Sequence, residues 1–390
     1  LPVIGCGLRY QNGLFRQAIE DGYQVEYPDT WLSHGFPWEI KRDDRKVEVR
    51  FGGSVSEEWI GGKLKVIHTD YESVTAVPYD VPIIGGNNSD TAGILKLWSA
   101  EPSEDFDLQS FNKGNYVKSL KNENEANILC RVLYPADNHT NGQKLRLKQQ
   151  YFLCSASMQY LVNRFFDLGN DDLTKLPDYA AVHINDTHPT LSIPELMRIL
   201  MDEHGFDWDD AWDIVTRMFS YTNHTILGEA LETWPRKIMQ ELIPRIYKII
   251  AEINERFCTD VWNKNHGDWG VINRLTIIHD DKVKMANLCA LACHTVNGVS
   301  ALHSKILKDD VFKDFDNLFP QKFIGITNGI THRRWLEYAN PGLSSLISEA
   351  IGDSWISDPE KLRDLVPFAD DASFRERFEK VKRDNKLRLR

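Results

Sequence analysis

The chain has 390 residues, 42% hydrophobic and 26% charged, with a formal net charge of -11 at pH 7. That length exceeds one ordinary core and calls for two lobes or one large elaborated domain, and the composition is that of soluble globular proteins. The acidic balance argues against a nucleic-acid partner, which needs a basic surface; no apolar run of about 18 residues supports a membrane span and no basic-then-apolar leader opens the chain, so the expected compartment is the cytoplasm.

Residues 1 to about 40 carry Gly5, Gly7, Gly13, Gly22 and Gly35 among aromatics; a phosphate loop at Gly5-x-Gly7 would need a third Gly in register, so these read as turns. From Lys46 to Pro82 the period is two. Val47, Val49 and Phe51 alternate with Lys46, Glu48 and Arg50, and Leu64, Val66, Val74 and Val77 follow in runs broken at Gly52-Gly53 and Gly61-Gly62. This predicts an antiparallel meander with one wet face. Phe106 to Leu133 regains helical character, half-exposed, as a surface or partner-contact helix. Tyr134 to Gly142 is a loop in which Asp137 and Asn138 read locally as turn residues, and Gln143 to Phe166 is a long helix with a wide apolar face.

Tyr179 to Ile184 reads as a strand that breaks into Asn185-Asp186-Thr187-His188-Pro189. Ser192-Ile193-Pro194-Glu195 reads as a capping box and Pro194 to His204 as its helix; Asp207-Trp208-Asp209-Asp210 is the acidic start of another. Tyr221-Thr222-Asn223-His224-Thr225 follows a second apolar run. Leu242, Ile246, Ile249, Ile250, Ile253 and Phe257 form the stripe of a long amphipathic helix. Met285 to Leu307 reads as a further, buried helix carrying His294 and His303, and Phe323 to Ile326 as a strand running into Thr327-Asn328-Gly329. Alternating strands and helices in the second half point to an α/β, Rossmann-like core.

Six cysteines, Cys6, Cys130, Cys154, Cys258, Cys289 and Cys293, show no C-x-x-C spacing and read as small buried residues of a reducing compartment. Both ends read as cut. Leu1 opens directly on an apolar, Gly-rich run, and Phe374, Phe378, Val381 and Leu387 keep near-helical spacing up to Arg390 without a stop signal, so a fragment of a longer chain is expected.

Polar residues released at the carboxyl ends of strands stand where ligands sit in open α/β sheets. Asp186, His188 and His224 have the chemistry of metal ligands, but no third strong ligand lies at local spacing. The neutral groups around them, Asn185, Thr187, Asn223 and Thr225 with Asn138 and Thr140, suit a polyhydroxylated ligand better. Glu229 and Glu232 leave a glycosidase-like acid pair open, although nothing in their spacing separates proton donor from nucleophile. Glu232 reads otherwise as a capping or salt-bridged acid.

Asn185-Asp186-Thr187-His188-Pro189-Thr190 with Ile193-Pro194-Glu195-Leu196, and Tyr221-Thr222-Asn223-His224-Thr225 with Glu229-Ala230-Leu231-Glu232 and Trp234, resemble segments of the α-glucan phosphorylases, the glycogen, starch and maltodextrin phosphorylase family. The likeness runs in order from Gly7-Leu8-Arg9-Tyr10 through Arg131-Val132-Leu133-Tyr134-Pro135 and Val296-Asn297-Gly298-Val299 to Thr327-Asn328-Gly329-Ile330-Thr331. It implies a Rossmann-like amino-terminal lobe of a two-lobe, GT-B type glycosyltransferase with an antiparallel β-rich section. The β-rich section with a dimer-contact helix would span about residues 1–130 and the helix-rich core about 131–390, the cofactor lobe lying outside the chain.

The implied reaction is reversible phosphorolysis: inorganic phosphate cleaves the terminal link of an α-1,4-glucan and releases glucose 1-phosphate, with pyridoxal phosphate exchanging a proton with the substrate phosphate. By resemblance His224, Asp137 and Asn138 are catalytic, the latter two on a gate loop and His224 through a main-chain carbonyl suited to an oxocarbenium-like transition state. Asp186, His188, Arg146, Thr225, Glu229, Ala230 and Tyr134 are implied to bind substrate, and no residue of this chain to bind the cofactor or a metal. The parent enzyme is implied to be a homodimer. The chain alone is expected to be inactive; the alternative is a glucan-binding or dimerisation module without catalysis. Gly228 and His332 stand where the family commonly has Pro.

Overall fold

A computed structural model describes residues 2–61, 63–85, 90–264 and 267–389. Leu1, Gly62 and Arg390, used above as a run start, a break and a helix end, lie outside the described residues, as does the side chain of Leu64. The fold is mixed α/β, and the chain divides into two compact units, one of Leu1–Gly85 with Asp90–Ile326 and one built on Thr327–Arg390.

The first unit opens with β1 (Ile4–Leu8), a hairpin of β2 (Arg16–Glu20) and β3 (Tyr23–Tyr27), a short β4 (Ile40–Lys41), β5 (Val47–Phe51), a second hairpin of β6 (Ser54–Ile60) and β7 (Lys63–Thr69), then the long β8 (Glu72–Ile84) and β9 (Ala92–Pro102). The β9 strand lies between β1, to which it is parallel, and β8, which is antiparallel to it and pairs with β4 and β5 on its other edge. The expected alternation holds on β5, where Val49 and Phe51 are buried and Glu48 and Arg50 exposed, because a strand's side chains point alternately to its two faces.

Three short helices, α1 (Leu108–Asn112), α2 (Tyr116–Ser119) and α3 (Lys121–Leu129), replace the single helix read over this stretch. Gly114, at φ +80°, turns the chain between the first two. The long α4 (Thr140–Asp167) then packs on β1, β5 and α3. Trp98 of β9, fully buried, donates its indole N–H to Ser157 Oγ at 3.1 Å, and Phe51 meets Tyr151 edge-on. The apolar face of α4 thus covers the buried face of this mixed sheet.

Four strands, β10 (Val182–Asn185), β11 (Phe219–Asn223), a later strand over Thr295–Gly298 and another over Phe323–Gly325, form a parallel sheet in that order. Two departures from the sequence reading lie here. Tyr179 ends a helix, α5 (Leu176–Tyr179), instead of opening the strand. Thr295–Gly298 is a strand where one helix was read from Met285 to Leu307. The strand is only four residues long, Thr295-Val296-Asn297-Gly298, too short a run for a period of two to stand out between the helices beside it.

After β10 comes α6 (Ser192–Arg198), which continues through a wider turn over Ile199–Glu203. Its Ile193, Leu196, Met197, Ile199 and Leu200 are at most 1% exposed, each such burial contributing about 1.5–3 kcal/mol. The capping box is not formed: Ser192 lies inside the helix and its side chain makes no cap. Glu195 is instead fully buried, accepting from Tyr151 OH (2.9 Å), Ser155 Oγ (2.8 Å) and Arg198 Nε and Nη2 (3.0 and 2.8 Å). A carboxylate removed from water needs its lone pairs satisfied, and these donors outcompete the helix terminus.

Asp207 caps α7 (Trp208–Met218), accepting from the Asp210 amide. Past β11 run β12 (Thr233–Pro235), α8 (Arg236–Leu242), α9 (Pro244–Lys264) and α10 (Trp269–Leu275). Pro244 separates Leu242 from the rest of the expected stripe, and Ile246, Ile249, Ile250, Ile253 and Phe257 are all buried on α9. The hairpin of β13 (Ile278–His279) and β14 (Lys282–Lys284) joins β12, and α11 (Met285–Ala292) leads into β15, the strand over Thr295–Gly298. Then α12 (Ala301–Ile306) and α13 (Lys313–Leu318) precede β16, the strand over Phe323–Gly325.

The second unit holds α14 (Pro341–Ile351), α15 (Ser354–Ser357), a 3-10 segment over Pro359–Asp370 and α16 (Ala372–Arg388). Leu346, Ile347 and Trp355 are its buried apolar residues. His332, one of the two departures from the family pattern, donates from Nε2 to the Ile356 carbonyl at 2.8 Å, a bond that Pro cannot make.

Candidate functional site

The parallel register aligns Asn185 with Thr222, Asn223 with Gly298 and Gly298 with Gly325. The residues following β10 and β11, Asp186 and His224, therefore emerge at one edge of the sheet. Asp186 turns there at φ +61°, a left-handed conformation that non-glycine residues adopt at a cost of about 1–2 kcal/mol. Local bonds hold it: its amide donates to the Thr222 carbonyl at 3.0 Å and its Oδ1 accepts from the Thr187 amide at 2.6 Å. Thr190 Oγ1 donates to the Thr187 carbonyl at 2.6 Å, and the Cys154 thiol donates to the Pro189 carbonyl at 3.3 Å. Two buried side chains thus tie this turn down from behind.

Glu232, just before β12, contacts two of the sequence-nominated residues, Arg146 and His188, and a third, Asp137, through Arg146. Its side chain is only 9% exposed. Oε1 accepts from Arg146 Nη2 (3.2 Å) and Gln150 Nε2 (2.8 Å), and Oε2 from Thr187 Oγ1 (3.3 Å). His188 Nδ1 approaches Oε2 at 3.4 Å, an ionic contact without aligned hydrogen-bond geometry. The other edge of Arg146 donates to Asp137 Oδ2 at 3.0 Å, and the Tyr134 ring lies 5.8 Å from its guanidinium carbon and 6.5 Å from the His188 ring. Burial alone would push the Glu232 carboxyl up, but the close contact with His188, the bond from Gln150 and the Arg146 charge hold it below the ordinary value. The same contact with Glu232 raises His188 against the opposing effect of burial.

Tyr134, Asp137, Arg146, Asp186 and His188 are thereby brought together. The loop carrying Asp137 folds back on the first turn of α4. His139 caps that helix, its Nδ1 accepting from the Gly142 amide at 3.0 Å. A Cβ at Gly142 would lie 1.7 Å from the Ala136 carbonyl oxygen, so only glycine fits beneath the loop. Tyr134 enters it at φ +52°.

His224 stands one strand away, with Nε2 2.6 Å from Asn185 Oδ1. Asn223, 1% exposed, accepts from the Thr225 amide (3.0 Å) and donates to Tyr221 OH (2.9 Å). Thr225 Oγ1 accepts from the Leu227 amide at 3.1 Å. Glu229 and Ala230 occupy an exposed 3-10 turn over Gly228–Ala230. Neither the Asn138 nor the Glu229 side chain bonds to the Glu232 cluster among the described residues. The His294 ring bonds its neighbour Thr295, while His303 Nδ1 accepts from the Val299 amide.

Gln150 was not singled out in the sequence, whereas Asn185 and Thr187 were named there as hydrogen-bonding groups suited to a polyhydroxylated ligand. For Gln150 a signal existed, since it lies four residues after Arg146 and so on the same helix face. Among the described residues no group of three or more His, Cys, Asp or Glu is placed to hold a metal ion. A separate cavity of about 960 Å³, lined in part by Asp202, Trp208 and Arg245, lies away from this edge; Arg245 is engaged there by Asp202 and Glu57.

The arrangement offers many neutral donors and acceptors around a few mutually compensated charges, a composition suited to hydroxyl-rich ligands. The family model described as carbohydrate phosphorylase matches residues 1–390. The chain is 48% identical over 389 residues to glycogen phosphorylase of Bacillus subtilis, covering 100% of this chain and 48% of that protein. It is 44% identical over 399 residues to the muscle form of glycogen phosphorylase of Homo sapiens, covering 100% of this chain and 47% of that one. The chain spans about half the length of these relatives. Identity at this level along the whole chain places it in the carbohydrate phosphorylase family.

Proposed function

We propose that this chain is the sugar-holding, Rossmann-like amino-terminal lobe of an α-1,4-glucan phosphorylase of the GT-B type. Its β-rich section would span about residues 1–130 and its helix-rich core about 131–390. The whole enzyme would use inorganic phosphate to release glucose 1-phosphate from glycogen, starch or maltodextrin, acting as a cytoplasmic homodimer. The observation that carries this reading is the convergence of Asp137, Arg146, His188 and Glu232 beside the strand ends that present Asp186 and His224.

In this reading the His224 main-chain carbonyl faces the glucosyl unit and stabilises positive charge developing at its anomeric carbon. Asp137 and Asn138 lie on the gate loop, with Asp137 positioned by Arg146. Asp186, His188, Thr225, Glu229, Ala230 and Tyr134 hold the neighbouring sugar through hydroxyl hydrogen bonds and ring contacts.

Pyridoxal phosphate, which supplies a phosphate group for proton exchange with the substrate phosphate when bound, does not fit the residues present. Arg146, the cluster's cation, is engaged on both edges by Asp137 and Glu232, and Lys144 pairs with Glu241. Among the described residues the cluster leaves no free lysine for an aldehyde, and in this reading the cofactor is held by residues outside this chain.

The test is maltoheptaose binding measured beside phosphorolysis on the 390-residue chain. Binding without turnover is expected, and phosphate-dependent release of glucose 1-phosphate by the chain alone would overturn the division of labour. Glucan cleavage without phosphate would favour a hydrolase instead.

A further inference from the structure

Asparagine is followed by glycine at four places in the chain: Asn12-Gly13, Asn141-Gly142, Asn297-Gly298 and Asn328-Gly329. This dipeptide is open to one reaction in particular. The glycine amide nitrogen attacks the asparagine Cγ, and with no side chain on the glycine nothing crowds the five-membered ring that closes. The fold decides whether it happens, because the attacking amide must be free of its hydrogen bond and the carboxamide free to swing onto it.

Three of the four pairs are locked. The Gly13 amide donates to the Asp29 carbonyl at 2.7 Å, and Asn12 Nδ2 donates to the Arg131 carbonyl at 3.3 Å. The Gly142 amide donates to His139 Nδ1 at 3.0 Å in the first turn of α4, tight against the Ala136 carbonyl. Asn297 is held at both ends of its carboxamide, Nδ2 donating to Thr222 Oγ1 at 3.2 Å and Oδ1 accepting from the Ile326 amide at 2.7 Å. Its strand, β15, lies between β11 and β16 inside the parallel sheet.

Asn328-Gly329 is the exception. Both residues are exposed, in the irregular stretch after β16. Among the described residues neither the Asn328 side chain nor the Gly329 amide makes a hydrogen bond, and nothing lies within 4 Å of a Cβ placed on Gly329.

We propose that Asn328 is a site of spontaneous covalent modification, the one of these four pairs that the fold leaves free to close to a succinimide. In that step the Gly329 nitrogen bonds to Asn328 Cγ, the Cγ–Nδ2 bond breaks, and Nδ2 leaves as ammonia with the proton shed by the glycine amide. Water then opens the ring at either carbonyl, giving aspartate by one route and isoaspartate by the other. Both products put a carboxylate where a neutral carboxamide stood, and the second adds a methylene to the backbone of the loop. The modification follows from the loop alone and does not depend on the glucan-holding reading.

The test is peptide mapping by mass spectrometry of the folded 390-residue chain held at mildly alkaline pH, read at all four pairs. Asn328 is expected to convert about tenfold faster than the other three, the effect on the barrier of roughly one protecting hydrogen bond. In urea the four rates should draw together, because the contacts that separate them are gone. Gly329→Ala, for which the loop has room, should bring Asn328 down to the rate of the protected pairs.

Conversion first at Asn12, Asn141 or Asn297 in the folded chain overturns the proposal, as does an Asn328 that stays intact when folded and converts only in urea. A lead for Asn328 that persists undiminished in urea also overturns it, since the fold would then not be the cause. If Gly329→Ala fails to fold, the folded and urea-unfolded wild-type rates decide by themselves.

Discussion

Arg146 and Glu232 lie 86 residues apart in sequence and meet at 3.2 Å, guanidinium Nη2 to carboxylate Oε1. Through this contact the loop that carries Asp137, the helix α4 and the turn after β10 share one electrostatic centre. Each of the three is held by a separate backbone device, yet their side chains converge on a single carboxylate.

Removing that carboxylate should be costly. Glu232→Ala leaves Arg146, Gln150 and His188 without their common acceptor, and a loss of about 3 kcal/mol is expected from breaking a mostly buried ion pair on one side. Glu232→Gln keeps the shape and one acceptor oxygen and should lose less. Urea unfolding of the three proteins checks the order, and equal midpoints would show that the cluster adds nothing to stability.

The same pair makes stability depend on pH. His188 is raised above its ordinary 6.5 chiefly by its contact with Glu232, so its contribution is complete below 6.5 and is lost as pH rises through the raised value. Glu232 is lowered below 4.5, its donors outweighing burial, so its contribution is present above 4.5 and is lost as pH falls through the lowered value. The coupled contribution is therefore greatest between those limits. Unfolding midpoints across this range should fall on both sides more steeply in wild type than in His188→Gln.

Gly142 and Gly228 should respond differently to alanine. A Cβ at Gly142 meets the Ala136 carbonyl oxygen, whereas nothing lies within 4 Å of one at Gly228. Gly142→Ala should cost about 1–3 kcal/mol, with the loop displaced from α4, while Gly228→Ala should change stability by less than about 0.5 kcal/mol. Thermal unfolding with amide exchange over residues 134–142 reads both effects.

Behind the site, Arg198→Ala should be worse than Tyr151→Phe. The first strips the cation from the fully buried Glu195 and is expected to cost about 3–5 kcal/mol. The second removes one of several donors and should cost about 1–3 kcal/mol. Denaturant unfolding of both variants tests the ranking.

Much of the local architecture was legible in the residues themselves. Alternation on Val47, Val49 and Phe51 marked a half-wet strand, the apolar face from Leu145 to Phe165 marked α4, and Asp207 marked a helix start. These patterns depend on neighbours a few residues away, and strand and helix periods expose them directly. The strand over Thr295–Gly298 did not show itself, because four residues are too short a run for a period of two to stand out between two helices.

By itself, the sequence determined family membership and the identity of the polar residues released at the ends of β10 and β11. Only the tertiary structure decided which acid organises them. Glu195, read as a cap, is a buried partner of Arg198, and Glu232, readable only as a capping or salt-bridged acid or half of an acid pair, is the hub of the cluster. The physical reason is that a carboxylate's role follows from the donors that surround it after the chain has folded back, and those donors come from helices and turns tens of residues away.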